Sequence, residues 1–189
     1  MKIRIGSQNV LYPMPVTLVG TLVKGRVNFC NIAHVGILNA ASPHLISLGM
    51  NKTHYTNQGI KEHKTFSVNL PSEEMVVEAD YAGLVSGKNS DKSALFEVFY
   101  GELSSAPMIK NCPLSMECKL YNIVDTPTHE VFIGEIVGTY AETGVLRDGK
   151  VDLAKVRPLL FDMSFREYWS LGQPVAKCWD VGNKLKPVP

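Results

Sequence analysis

Asn51-Lys52-Thr53-His54-Tyr55-Thr56 packs a lysine, two threonine hydroxyls and two polar ring side chains into one short stretch. The apolar run at 45–50 precedes it, and a segment of helical character through Ile60 follows. This order predicts a strand, a turn and a helix capped by Thr53, with Thr56 in the first helical turn. Unpaired N–H groups and the positive dipole end of such a helix, joined by Lys52 and the two hydroxyls, make an anion site suited to phosphate. Taken without their flanks, the same residues read as a surface lysine and an ordinary cap.

The elements that position this stretch read mostly as strand. Residues 16–23 are β-rich, Lys24-Gly25 supplies a turn, and residues 26–30 return as the second arm of a hairpin. A loop is expected over 32–36. Residues 65–70 alternate and stop at Pro71. Ser72, followed by Glu73 and Glu74, opens a helix, and Ser90-Asp91 is expected to open another, with Ala94, Leu95 and Phe96 as its apolar side. Residues 114–124 alternate, with Leu114, Met116, Cys118 and Leu120 on one face. Residues 130–141 return as a long strand in which Gly134 and Gly138 signal a bulge or a close backbone approach. Asp148-Gly149 is a tight-turn signal. There is no βαβ rhythm, repeat or linker. Closing such a sheet removes its edges, so the expected fold is mainly β: a small barrel with short helical insertions, in a single domain over 1–189.

A formal charge of +1 gives no field for nucleic acid and no polybasic signal for a membrane. Apolar runs fall short of a membrane span, and Gly6-Ser-Gln-Asn9 interrupts any signal-peptide pattern, so a cytoplasmic protein is expected. Cys30, Cys112, Cys118 and Cys178 make no C-x-x-C pair, which leaves metal and thioredoxin-type chemistry without a signature. Cys118, on the apolar face of an alternating strand, reads as a buried small hydrophobe, and all four thiols read as structural. Gly49-Met-Asn-Lys-Thr53 is not a P-loop, because an asparagine parts lysine from the preceding residues and the upstream glycine is missing.

The strand–turn–helix at 45–60, the string Phe66-Ser-Val-Asn-Leu-Pro71, Gly83-Leu-Val-Ser-Gly87 with Asp91-Lys92, Cys112-Pro-Leu with Glu117-Cys118, His129-Glu-Val-Phe-Ile-Gly-Glu135 and Tyr168-Trp-Ser-Leu-Gly172 together resemble the flavin-reductase-like family of FMN-binding split β-barrels (Greek-key type), within it the flavoredoxins. The resemblance covers about residues 10–180. It implies FMN as cofactor, with Asn51, Lys52, Thr53, His54, Tyr55 and Thr56 around the phosphate and ribityl chain. Asn31, Ile32, Ala33 and His34 would lie along the ring, largely through backbone groups. Ser86, Asp91 and Lys92 belong to a segment that approaches the flavin, and Trp169 with Tyr168 would cover the ring or seal a homodimer. His129 would orient a nicotinamide rather than move a proton. Three functions are compatible with this pattern: electron exchange with a ferredoxin-like protein partner, NAD(P)H-dependent flavin or ferric reduction, and flavin binding without turnover.

Overall fold

The computed structural model describes residues 1–185. The strands, in chain order, are β1 (Met14–Pro15), β2 (Thr17–Val23), β3 (Arg26–Ile32), β4 (Val35–Asn39), β5 (Leu45–Asn51), β6 (Thr65–Leu70), β7 (Val98–Phe99) and β8 (Met108–Ile109). They continue as β9 (Leu114–Asp125), β10 (His129–Ala141), β11 (Leu146–Arg147), β12 (Lys150–Val151), β13 (Leu160–Asp162) and β14 (Glu167–Trp169). The α-helices are α1 (Thr56–His63), α2 (Val76–Leu84) and α3 (Leu153–Val156).

Seven strands form one antiparallel sheet in the order β3-β2-β6-β9-β10-β5-β4. Its two outermost strands, β3 and β4, are consecutive in the chain and joined only by Ala33 and His34. A link that short forces the sheet to curl until its ends meet, which is the split barrel. The loop expected over 32–36 is therefore reduced to that two-residue corner, because both flanking strands extend into it.

Alternation fills the barrel. Ile46, Leu48 and Met50 of β5 point inward with Phe66, Val68, Cys118 and Phe132, and all are buried. A second core lies outside the sheet, where Ala79 and Ala82 of α2 pack with Leu18, Phe29 and Ile109. Glu117, on the face of β9 expected to be polar, is thereby fully buried. Its carboxylate accepts from the Glu102 and Leu103 amides at 3.1 and 2.9 Å and from the Tyr140 hydroxyl at 2.7 Å. The expected irregularities are present: the β9–β10 register shifts at Ile133/Gly134 and Ile136/Gly138. A Cβ on Gly138 would meet the Glu117 carboxylate at 2.6 Å.

Two helix expectations need correction. Residues 90–96 form turns rather than a helix, because the Asp91 carboxylate accepts from the Ser93 amide and closes the chain locally. Ser72 adopts an extended conformation and makes no side-chain cap. The segment begins as a 3-10 turn, Glu73–Met75, whose first amide bonds to Arg157 O.

Candidate functional site

Where β3 passes into β4, a cleft of about 330 Å³ opens outside the barrel. One wall is Asn31, Ile32, Ala33 and His34; the sheet contributes Gly49, Asn51 and His129; the opposite wall is Asp80, Gly83 and Leu84 of α2 with Phe161, Met163 and Tyr168. His54 stands at the end nearest α1. The register that pairs His129 with Asn51 brings the β10 histidine to the same mouth as the turn before α1. The His34 and His129 rings meet edge to face at 5.8 Å.

A second cleft of about 370 Å³ adjoins at the His54–Tyr55 peptide. It is lined by Tyr55, Asn28, the hairpin residues Lys24 and Arg26, and the 87–92 segment with Lys88. Lys92 forms its inner wall. Its ammonium donates to Phe29 O, to Ala82 O at 3.0 Å and to Val85 O at 3.1 Å. Burial pulls the Lys92 pKa down, with the neighbouring Cys30 acting the other way.

The turn before α1 differs from expectation. Asn51 Oδ1 accepts from the Thr53 amide at 3.0 Å and from its hydroxyl at 2.8 Å. That tight turn takes Thr53 out of the capping role, and the helix starts instead at Thr56 with Tyr55 at the N-cap and no side-chain cap. Thr56 is buried and accepts from Asn28 Nδ2 at 2.7 Å, so its hydroxyl also faces inward. Gly59 makes this seating possible, since a Cβ there would lie 2.1 Å from Leu22 O.

Several polar groups around the start of α1, where the two clefts adjoin, lack partners among the described residues. They are the amides of Tyr55 and Thr56, Asn28 Oδ1, His54 Nδ1 and Asn57 Oδ1. Two further orphans, His63 Nε2 and Thr65 Oγ1, lie at the far end of α1. Burial, then the charges of His129 and Lys92, holds the His54 imidazole below the usual histidine value. Burial, then His129, does the same to His34. Both rings are thus neutral at neutral pH, able to donate from one nitrogen and accept at the other. Burial pushes the Cys30 thiol up to about 11, despite a hydrogen bond from Thr56 and the charge of Lys92, so it is no nucleophile. Burial and a 2.8 Å hydrogen bond to Asp80 push Tyr168 to about 12.

Of the residues singled out in the sequence, Asn31, Ile32, Ala33, His34, Asn51, His54 and His129 meet in the first cleft, and Tyr55, Asp91 and Lys92 in the second. Lys52 lines neither. It turns to Asp125 at 2.6 Å across the β9–β10 end. Thr53 and Thr56 are occupied as described. Ser86 accepts from the Lys88 amide and shapes the loop from within. Trp169 points to the other side of β14, against Tyr12 and Pro13, and its neighbour Tyr168 enters the cleft instead. Successive strand residues alternate faces, so of the two aromatic residues expected here only Tyr168 lines this cleft. Asn28, Asp80 and Phe161 carried no sequence signal of their own, and Gly49 and Gly83 were noted only as parts of longer motifs. Asn28 lies opposite Thr21 on the hairpin, and both are buried polar residues. Among the described residues no His, Cys, Asp and Glu group could hold a metal ion, and no helix is long and apolar enough to cross a membrane.

The model of the flavin reductase like domain matches residues 9–168. Flavoredoxin from Methanosarcina acetivorans is 46% identical, with 98% of this chain and 100% of that chain covered at a TM-score of 0.95. Flavoredoxin of Desulfovibrio vulgaris (Miyazaki F) is 36% identical over 96% of this chain and 100% of that one, with a TM-score of 0.89. An uncharacterized protein of Archaeoglobus fulgidus is 31% identical over 59% of this chain. The chain spans 64% of that relative's length, and 62% of a second one, from Aeropyrum pernix.

Proposed function

The chain belongs to the flavin reductase like domain family, and on that footing we propose that it binds FMN and passes electrons through it between a reduced donor and an acceptor. One observation carries this reading: where the two clefts adjoin at the start of α1, the Tyr55 and Thr56 amides and the buried Nδ1 of the half-buried His54 have no partner among the described residues. Structures satisfy buried polar groups, and a cluster of unsatisfied ones at a cleft fits a polar ligand. Bound FMN would supply a ring that takes up and releases electrons. Asn31, Ile32, Ala33 and His34 would hold one side of the ring and Tyr168 and Phe161 the other. The Tyr55 and Thr56 amides would bind the phosphate, and Asn28 Oδ1 would accept from a ribityl hydroxyl. Lys24 and Lys88, with Arg26 shared with Asp91 at 3.8 Å, would supply the positive charge that Lys52, held more closely by Asp125, does not. Titration with FMN, FAD and riboflavin tests the assignment: FMN should bind near one per chain and most tightly. A protein that ignores FMN, or takes FAD alone, would end it.

The donor is proposed to be a reduced protein partner of ferredoxin type, as the flavoredoxin likeness suggests. A second reading, NAD(P)H-dependent flavin or ferric reduction, draws on His129 and His34 at the cleft mouth, where they could orient a nicotinamide. Anaerobic titration with NADH and NADPH separates the two, because only the second reading predicts bleaching. No bleaching with either nicotinamide or a reduced ferredoxin would leave a flavin-binding module without turnover.

We also propose a homodimer with the cleft close to its interface. Val77, Tyr81 and Leu84 recur on one face of α2, beside the cleft, and stand 74%, 45% and 75% exposed. A C2 contact is the commonest cover for such a face. Sedimentation at low micromolar concentration should show a dimer, and a monomer of full FMN affinity would remove this part of the proposal.

A further inference from the structure

On the outward side of β5, Ser47, Gly49 and Asn51 occupy alternate positions, opposite the core-facing Ile46, Leu48 and Met50. The registers widen this lane: Gly36 of β4 lies beside Ser47, and Val131 of β10 lies beside Gly49. Gly49 and Asn51 belong to the cleft assigned to FMN. Ser47 and Gly36 floor another cleft, of about 370 Å³, which shares Ala33 and His34 with the first. A single trough thus runs along the sheet surface, and the His34 side chain divides it. Gly49 permits that divider, since a Cβ there would come within 3.1 Å of the His34 Cβ.

The lining of this outer cleft is distinctive. Its floor is low because Gly36 and Ser47 are small, and its far wall is the N-terminal arm through Leu11, Pro13 and Met14. No Lys, Arg, Asp or Glu lines it; the polar side chains are Asn9, Ser47 and His34. A dinucleotide's pyrophosphate would find no counter-charge here, and an unpaired charge is expensive to shelter. A flat, low-walled, mostly apolar space with a few polar groups suits an uncharged planar molecule.

We propose that the cleft between the N-terminal arm and the β4–β5 edge binds a second substrate, a small uncharged quinone, beside the cofactor cleft. The quinone would take two electrons from reduced flavin and two protons from the flavin and solvent, and leave as the hydroquinone; that turnover rests on the FMN reading, although binding itself needs no flavin.

Calorimetric titration of menadione into FMN-loaded and FMN-free protein is the test. Saturable binding to both forms is expected. Ser47→Trp fills the cleft from a position outside the cofactor cleft, and should weaken menadione by at least about tenfold, about 1.4 kcal/mol, with FMN affinity unchanged. Should that variant fail to fold, Leu11→Glu on the exposed arm carries the same expectation. Absent saturable binding, equal binding by the variant, or an equal loss of FMN affinity in the variant would each overturn the site. If menadione binds as expected and FMN does not bind at all, the cofactor assignment fails and this site stands.

Discussion

Two groups of buried polar side chains sit on opposite sides of the same sheet and are treated in opposite ways. Around Glu117 every strong hydrogen-bonding demand is met: two amides and the Tyr140 hydroxyl reach the carboxylate. Nearby Asn69 is as well served, accepting from Ile109 N and Ser115 Oγ and donating to Leu18 O. At the entrance to α1, by contrast, Asn28 Oδ1, His54 Nδ1 and Asn57 Oδ1 face no partner among the described residues. A group that serves the fold is closed by the fold, and a group that serves a ligand is left open toward it.

The largest effect should come from disturbing the closed group. Glu117→Leu leaves two amides and a phenol at the edge of the core without their acceptor, and should destabilise the protein by about 2 kcal/mol. Urea unfolding measures it, and the folded variant should keep its FMN affinity. Acid has a milder form of the same effect. Burial raises the Glu117 pKa, but the Tyr140, Leu103 and Glu102 hydrogen bonds outweigh it and the net shift is downward. Its contribution is therefore present above the ordinary carboxylate range and lost as pH falls through the lowered native value. If Glu117→Leu unfolds at wild-type urea concentration, the closed group contributes little and the contrast collapses.

Disturbing the open group should reverse the pattern. His54→Phe ought to weaken FMN by about tenfold, one hydrogen bond of about 1.4 kcal/mol, with little change in stability at neutral pH. The native His54 pKa lies below its unfolded value, so the unfolded chain binds more protons as pH drops below about 6.5 and stability declines there. The Phe variant should lose part of that decline. Unchanged FMN affinity would mean that His54 Nδ1 is an ordinary packing defect.

The smallest effect is expected at Lys52. Its partner Asp125 is exposed, and such pairs contribute about 0.2–1 kcal/mol. Lys52→Ala should change FMN affinity by no more than about twofold, and Arg26→Ala by more. The opposite order, read from FMN titrations at low salt, would return the phosphate to the Lys52 side.

The contrast also explains what could be read from sequence. Strands 114–124 and 130–141 were legible because alternation and paired glycines are local signals, and the hairpin turns at Lys24-Gly25 and Asp148-Gly149 were legible for the same reason. The barrel followed from strand count and the lack of crossovers. Half of the candidate cleft was reached through the family resemblance rather than through local signals, because Asn31–His34 would act largely through backbone groups, which leave little trace in residue types. The placement of Lys52 was not legible, since its partner Asp125 lies far along the chain and only the β9–β10 register brings it near. Thr53 lost its cap to Asn51, a competition between neighbours that residue types alone do not decide. Asp80 and Phe161 reach the cleft only through packing of α2 and the C-terminal hairpin, and packing leaves no periodic mark.

Lys92 has one more consequence, for the order in which this corner assembles. The carbonyls of Phe29, Ala82 and Val85 come from β3, from α2 and from the residue that ends it. An ammonium gripped by one or two of them would remain partly unpaid in an apolar setting. The three segments must therefore open and close together, as one cooperative unit. Hydrogen exchange should show the amides of 28–30 and of α2 exchanging at a common rate, and Lys92→Met should split that rate into two.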